Sequence, residues 1–161
     1  MKGKSQGSGS GGGMMHKWVL LAIGCAIVAA CRTTGDGEAE SRPVGKPVLS
    51  KAELQQARVA VNFRNHVRPI LEERCLHCHN KRAMPGKFSL ETAAEAMKDG
   101  RRIVPGKAGQ SMLIVVLTTG NHAKTMPAVG TAPPSEEVEV LKRWIDAGAE
   151  WPREITLRPT E

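Results

Sequence analysis

The segment Cys75-Leu76-His77-Cys78-His79 constrains this chain more than anything else in its 161 residues. Two cysteines three residues apart fall on one face of a helical turn, and a histidine four residues after the first shares that face. Such a turn offers two thiols and one imidazole to a single large group. The chain holds 4 cysteines, and the other two, Cys25 and Cys31, lie in an apolar N-terminal stretch. Nothing remains to complete a disulfide framework or a four-thiolate metal site.

The spacing is that of covalent haem attachment. Each thiol adds to one vinyl group of a porphyrin, and His79 is then presented to the iron as the proximal ligand. One haem c is expected, held by Cys75, Cys78 and His79. Two other chemistries use CxxC. A thioredoxin-like dithiol needs an α/β context, which is missing, and leaves His79 without a role. A zinc site would have to draw on His66, His77 or His122, whose spacing matches no common finger. The low aromatic content, 3% with no Tyr, suits a core completed by a large apolar cofactor but does not prove one.

A second axial ligand must come from elsewhere. Met126 precedes Pro127 in the turn-rich stretch 118–134 and lies 47 residues beyond His79, far enough to reach the opposite face. Met84 is too near His79 to do so, and Met97 and Met112 sit in apolar patterns typical of core. His77, between the two cysteines, points away. Met126 is the favoured ligand, with His122, an open or water-filled position, and His66 as alternatives.

Local signals predict an all-α domain. Ser50 and Glu53 form a capping-box pattern at the head of a helical stretch running to Arg74. Pro69 should break that stretch near Val67. A short helix is expected over 111–118. A last one follows Pro133-Pro134, with Ser135 as N-cap, Glu136 and Glu137 in the first turn, and an apolar stripe of Val138, Leu141, Trp144 and Ile145 ended by Gly148. Trp144 and Trp151 read first as core. Arg101 and Arg102 read as surface charge, with a place near haem propionates as the alternative.

Taken in order, several pieces resemble the cytochrome c domain of planctomycetes and related bacteria, a branch of the class I cytochrome c fold. Phe63 and Val67-Arg68-Pro69-Ile70-Leu71 lead into Arg74-Cys75. Lys87-Phe88-Ser89-Leu90-Glu91-Thr92, Ile103-Val104-Pro105-Gly106 and Ser111-Met112-Leu113 follow. Met126-Pro127 stands where the family has Met-Pro-Pro, with Ala128 replacing the second proline. Residues 144–152 close the match, which covers about 60–152. The resemblance implies a helical fold with haem in a cleft, His79 on one side and Met126 on the other. It also implies a terminal helix packed on the first one.

The N-terminal part reads as an address. Residues 1–13 are a Gly/Ser/Lys-rich extension, and the true start is Met1, Met14 or Met15. His16-Lys17 precedes an apolar run from Trp18 to Ala30, too short to span a bilayer comfortably. Val28-Ala29-Ala30-Cys31 resembles a bacterial lipobox with Cys31 as the lipidated residue. An ordinary cleaved signal and an uncleaved anchor are the alternatives, and Cys25 is a rival cleavage position. Arg32, where an inner-membrane retention signal would carry Asp, leans the expectation toward the outer membrane. The expected organisation is an extension (1–13), a lipoprotein signal peptide (14–31), a flexible linker (32–50), the cytochrome domain (51–155) and a C-terminal tail (156–161).

The formal charge is +7. Without Lys2, Lys4 and Lys17 it falls to +4, 20 basic residues against 16 acidic. That mild excess suits an acidic redox partner as well as it suits scattered surface charge. Basic residues are not interleaved with aromatics, so nucleic-acid binding is not expected. Neither is a small-molecule substrate or enzymatic activity. The expected function is that of a membrane-tethered one-electron carrier in the cell envelope, facing the periplasm. A ligand-sensing or peroxidase-like haem with an open sixth site is the alternative, although a second CxxCH is missing.

Overall fold

Ser50 and Glu53 show how local chemistry starts the fold. The Ser50 hydroxyl accepts from the Glu53 N–H, and the Glu53 carboxylate accepts from the Ser50 N–H at 2.8 Å. This reciprocal cap satisfies two backbone donors that a helix N-terminus leaves open. It begins α1, Lys51–Val59. The computed structural model describes residues 43–83, 87–119 and 125–161. Their regular structure is helical, as expected, apart from one isolated parallel bridge between Val44 and Ala132.

The chain leaves α1 sooner than Pro69 suggested. Ala60–Asn62 is extended, and a π-helical turn, Phe63–Val67, leads into α2, Arg68–Arg74. The Asn62 side chain accepts from the Asn65 N–H, and the Asn62 N–H donates to His66 Nδ1 at 2.9 Å. These bonds begin a new element, so the break falls before Phe63. Pro69 lies in the first turn of α2, where its missing N–H costs nothing.

After the CxxCH turn come α3, Ala93–Ala96, a 3₁₀ turn, Ala108–Gln110, α4, Met112–Thr118, and α5, Ser135–Asp146. Ser111 begins α4 as a knot between neighbouring backbones. Its hydroxyl accepts from the Val104 N–H at 2.8 Å and donates to the Lys107 carbonyl at 3.0 Å. Pro134, one residue before the expected Ser135, occupies the N-cap of α5. At the far end Gly148 takes a φ of +106°, a left-handed turn suited to glycine. The loop over 104–108 closes this end, as the Gly106 N–H donates to the Ile145 carbonyl at 2.7 Å and the Ala108 N–H to the Asp146 carboxylate.

The core joins all these pieces. Val67, Ile70, Leu71 and Leu76 meet Ile103, Leu113, Leu141 and Ile145, each buried. Phe63, Trp144 and Trp151 form an aromatic cluster with ring centroids 4.5–6.0 Å apart. The indole N–H of Trp144 donates to the Glu150 carbonyl and that of Trp151 to the Ile155 carbonyl. Both tryptophans are core residues with their polar ends satisfied inside the protein. The first helix α1 contacts α5.

The packed core takes in residues on either side of 51–155. Leu49 and Leu157 belong to the core, and the Leu157 N–H donates to the Glu91 carbonyl. Residues 43–48 are held by Ala132, whose backbone pairs with Pro43 and Gly45, and by Glu137 with its partner Arg74. This acid was expected to favour the helix start, yet it is fully buried. Its carboxylate accepts from the Val48 N–H and, at 3.1 Å, from Arg74 Nε, while the Arg74 guanidinium also donates to the Lys46 carbonyl. A Cβ on Gly45 would lie 2.7 Å from the Arg74 guanidinium and from the Thr131 hydroxyl, so a larger residue here would have to displace those side-chain ends.

Removing one partner of a buried pair leaves the other charge uncompensated. Glu137→Ala should therefore cost about 3–5 kcal/mol in denaturant unfolding. Glu139→Ala, at an exposed site on the same helix, should stay within about 0.5 kcal/mol of the parent. Equal unfolding midpoints for the parent and Glu137→Ala would contradict this role.

Candidate functional site

Helix α2 delivers the motif. Ile70 and Leu71 anchor it in the core, and the chain continues as a further turn, with the Cys78 and His79 N–H groups donating to the Cys75 carbonyl at 3.2 and 2.8 Å. Cys75, Cys78 and His79 are thus gathered on one turn, as their spacing predicts. Leu76 is completely buried and His77 exposed, so the two residues between the cysteines have opposite tasks. Asn80 stops the turn: its side-chain amide donates to the Leu76 carbonyl at 2.7 Å and its Oδ1 accepts from the Arg82 and Ala83 N–H groups. The Leu90 N–H then returns to the His79 carbonyl at 2.8 Å.

The two thiols differ. Cys78 is exposed, Cys75 is half-buried against the core, and no disulfide joins them. Burial pushes the Cys75 thiol up to about 12, with the Arg74 charge opposing. Two unjoined thiols on one well-anchored turn are the groups that thioether formation needs. Among the described residues no group of three or more His, Cys, Asp or Glu side chains is assembled for a metal ion, so the zinc reading finds no ligand set there.

The His79 ring is half-buried and lies against Phe88, with centroids 5.2 Å apart. Burial lowers its pKa, the Phe88 backbone opposes this, and the Arg102 charge adds to it. Nδ1 is sealed from solvent without a hydrogen bond of normal geometry. That leaves Nε2 as the nitrogen presented for ligation. The donor set therefore fits covalent haem: two unjoined thiols and an imidazole fixed by its inner edge. Beyond Phe88, the Arg102 guanidinium lies over the ring face at 4.3 Å, and Arg101 is exposed.

Met126 stands on a different loop. Its N–H donates to the Val116 carbonyl at 2.8 Å, which ties it to α4, and it is half-buried. Pro127 follows through a cis peptide bond. His66 is buried in the π turn, with Nε2 also lacking a partner. Met84, His122, Cys25 and Cys31 lie outside the described residues. The cavities of about 460 Å³, between α1 and α5, and about 170 Å³, beside Phe63 and Trp144, are both lined by residues away from the motif.

Sequence reasoning missed Phe88 as the neighbour of His79. It is one of only 2 phenylalanines in the chain, and that scarcity was a usable signal.

The turn has the residue spacing of covalent haem attachment. Residues 75–129, from Cys75 through the Met126 loop, match the family model described as Planctomycete cytochrome C, the family that the ordered motifs resemble. No curated protein and no solved structure matches the chain.

The anchoring role of Leu76 predicts an asymmetry inside the motif. Leu76→Ala should destabilise the domain by about 2–5 kcal/mol, whereas His77→Ala should change denaturant stability by no more than about 0.5 kcal/mol. Similar effects at the two positions would show that the turn is not held through Leu76.

Proposed function

We propose that this chain is a monohaem c-type cytochrome that carries one electron at a time, with a class I arrangement of helices. The supporting observation is the single anchored turn that offers Cys75, Cys78 and the Nε2 edge of His79 together. The haem, when bound, supplies reversible one-electron chemistry. The residues do the rest. Cys75 and Cys78 would hold the porphyrin, and His79 and Met126, on its loop beside α4, would ligate its iron. A thioether ligand raises the reduction potential, and two protein ligands leave no position for substrate.

The carrier works in the cell envelope, tethered by lipid on Cys31 and facing the periplasm, with the outer membrane as its site. The apolar run, the lipobox and the extracytoplasmic setting of c-type haem attachment support this. Among the described residues no helix is long and apolar enough to cross a membrane. Its partners are redox proteins that meet a mildly basic surface.

Met126→Ala should retain covalent haem while lowering the midpoint potential and altering the oxidised visible spectrum. A spectrum and potential equal to the parent's would remove Met126 from the iron.

A further inference from the structure

The environment of His79 contains a charge that ligation alone does not require. Arg102 lies with its guanidinium over one face of Phe88 at 4.3 Å, and Phe88 in turn touches the His79 ring, at 5.2 Å between centroids and 58° between planes. One aromatic ring therefore separates a permanent cation from the proximal imidazole. Asp99 faces the same guanidinium at 3.3 Å. The side chains of Arg102 and Asp99 are 30% and 28% exposed, so the pair is partly covered but within reach of solvent, and salt weakens its field.

The backbone holds this arrangement in place. Asp99 Oδ1 accepts from the Arg101 and Arg102 N–H groups at 3.1 and 3.2 Å. The Arg102 carbonyl accepts from the Leu113 N–H at 3.0 Å, which joins the charge to the start of α4. Arginine suits the position because its flat guanidinium stacks on an aromatic face and keeps its proton at any working pH.

We propose that Arg102 favours the reduced state of the haem iron, acting across Phe88 and His79, with Asp99 as its counterweight. The inference rests on the one-electron carrier reading above. Oxidation removes one electron and leaves one more positive charge at the iron. A cation one ring beyond the proximal ligand opposes that charge, and a carboxylate beside the cation relieves it. Arg102 is thus a positioning residue for potential, not an attachment residue.

The test uses the full chain matured with haem, titrated against redox mediators. Arg102→Leu should make the iron about tenfold harder to reduce at a fixed mediator potential, a fall of 59 mV for one electron. Arg102→Lys should recover part of that loss. Asp99→Asn, which keeps an acceptor for the two N–H groups, should shift the potential upward. A purely structural role would move thermal stability without this reversal of sign. Arg102→Leu and Asp99→Asn shifting together, or neither shifting, overturns the proposal. If Arg102→Leu fails to hold haem, Asp99→Asn decides alone, and an unchanged or lowered potential overturns it. Failure of the parent protein to show reversible one-electron reduction would instead overturn the carrier reading itself.

Discussion

The buried carboxylate of Glu137 ties together the parts of the domain that the haem turn depends on. It sits on α5 and takes one bond from Arg74 and another from the Val48 N–H. Arg74 is the last residue of α2 and the neighbour of Cys75. One interaction thus connects the final helix, the segment entering the domain, and the helix that carries the cysteines. An ion pair this deep gives little net stability compared with apolar packing, but it allows few alternative arrangements. The close passage of Gly45 beside Arg74 follows from the same contact.

Around this tie the apolar core fixes the direction of the motif. Leu71 and Leu76 face inward, and His77 and Cys78, on the turn that follows, are exposed. Asn80 ends the turn, and the Leu90 N–H brings Phe88 back against His79. Phe88 thereby gives the imidazole a fixed inner edge, and Arg102 brings charge to it. Under the proposed function, attachment, ligand orientation and local electrostatics fall to separate residues.

What a single sequence reveals here follows the range of the interactions. The Ser50–Glu53 cap, the CxxCH turn, the helix after Ser111 and the stop at Gly148 depend on neighbours within a few residues, and each was legible. The position of the break before Phe63 was not, because proline was read as the breaker while Asn62 and His66 make the decisive bonds. Glu137 was read as a helix-end charge, since its partner Arg74 lies 63 residues away and nothing local reveals the pairing. Leu49 and Leu157 enter a core assembled from distant segments, which no local pattern reveals. Phe88 meets His79, and Arg102 meets Phe88, only after the intervening loops have closed, and beyond the scarcity of phenylalanine nothing local points to these contacts.

The central claim is that Cys75 and Cys78 hold one haem covalently. Intact-mass measurement of the protein matured in a c-haem-competent host, after acid–acetone extraction of noncovalent haem, tests it most directly. The account predicts a mass increased by one haem in the parent chain and by none when both cysteines are replaced by serine. A parent chain that loses all its haem to the extraction, or retains it without the two cysteines, would contradict it.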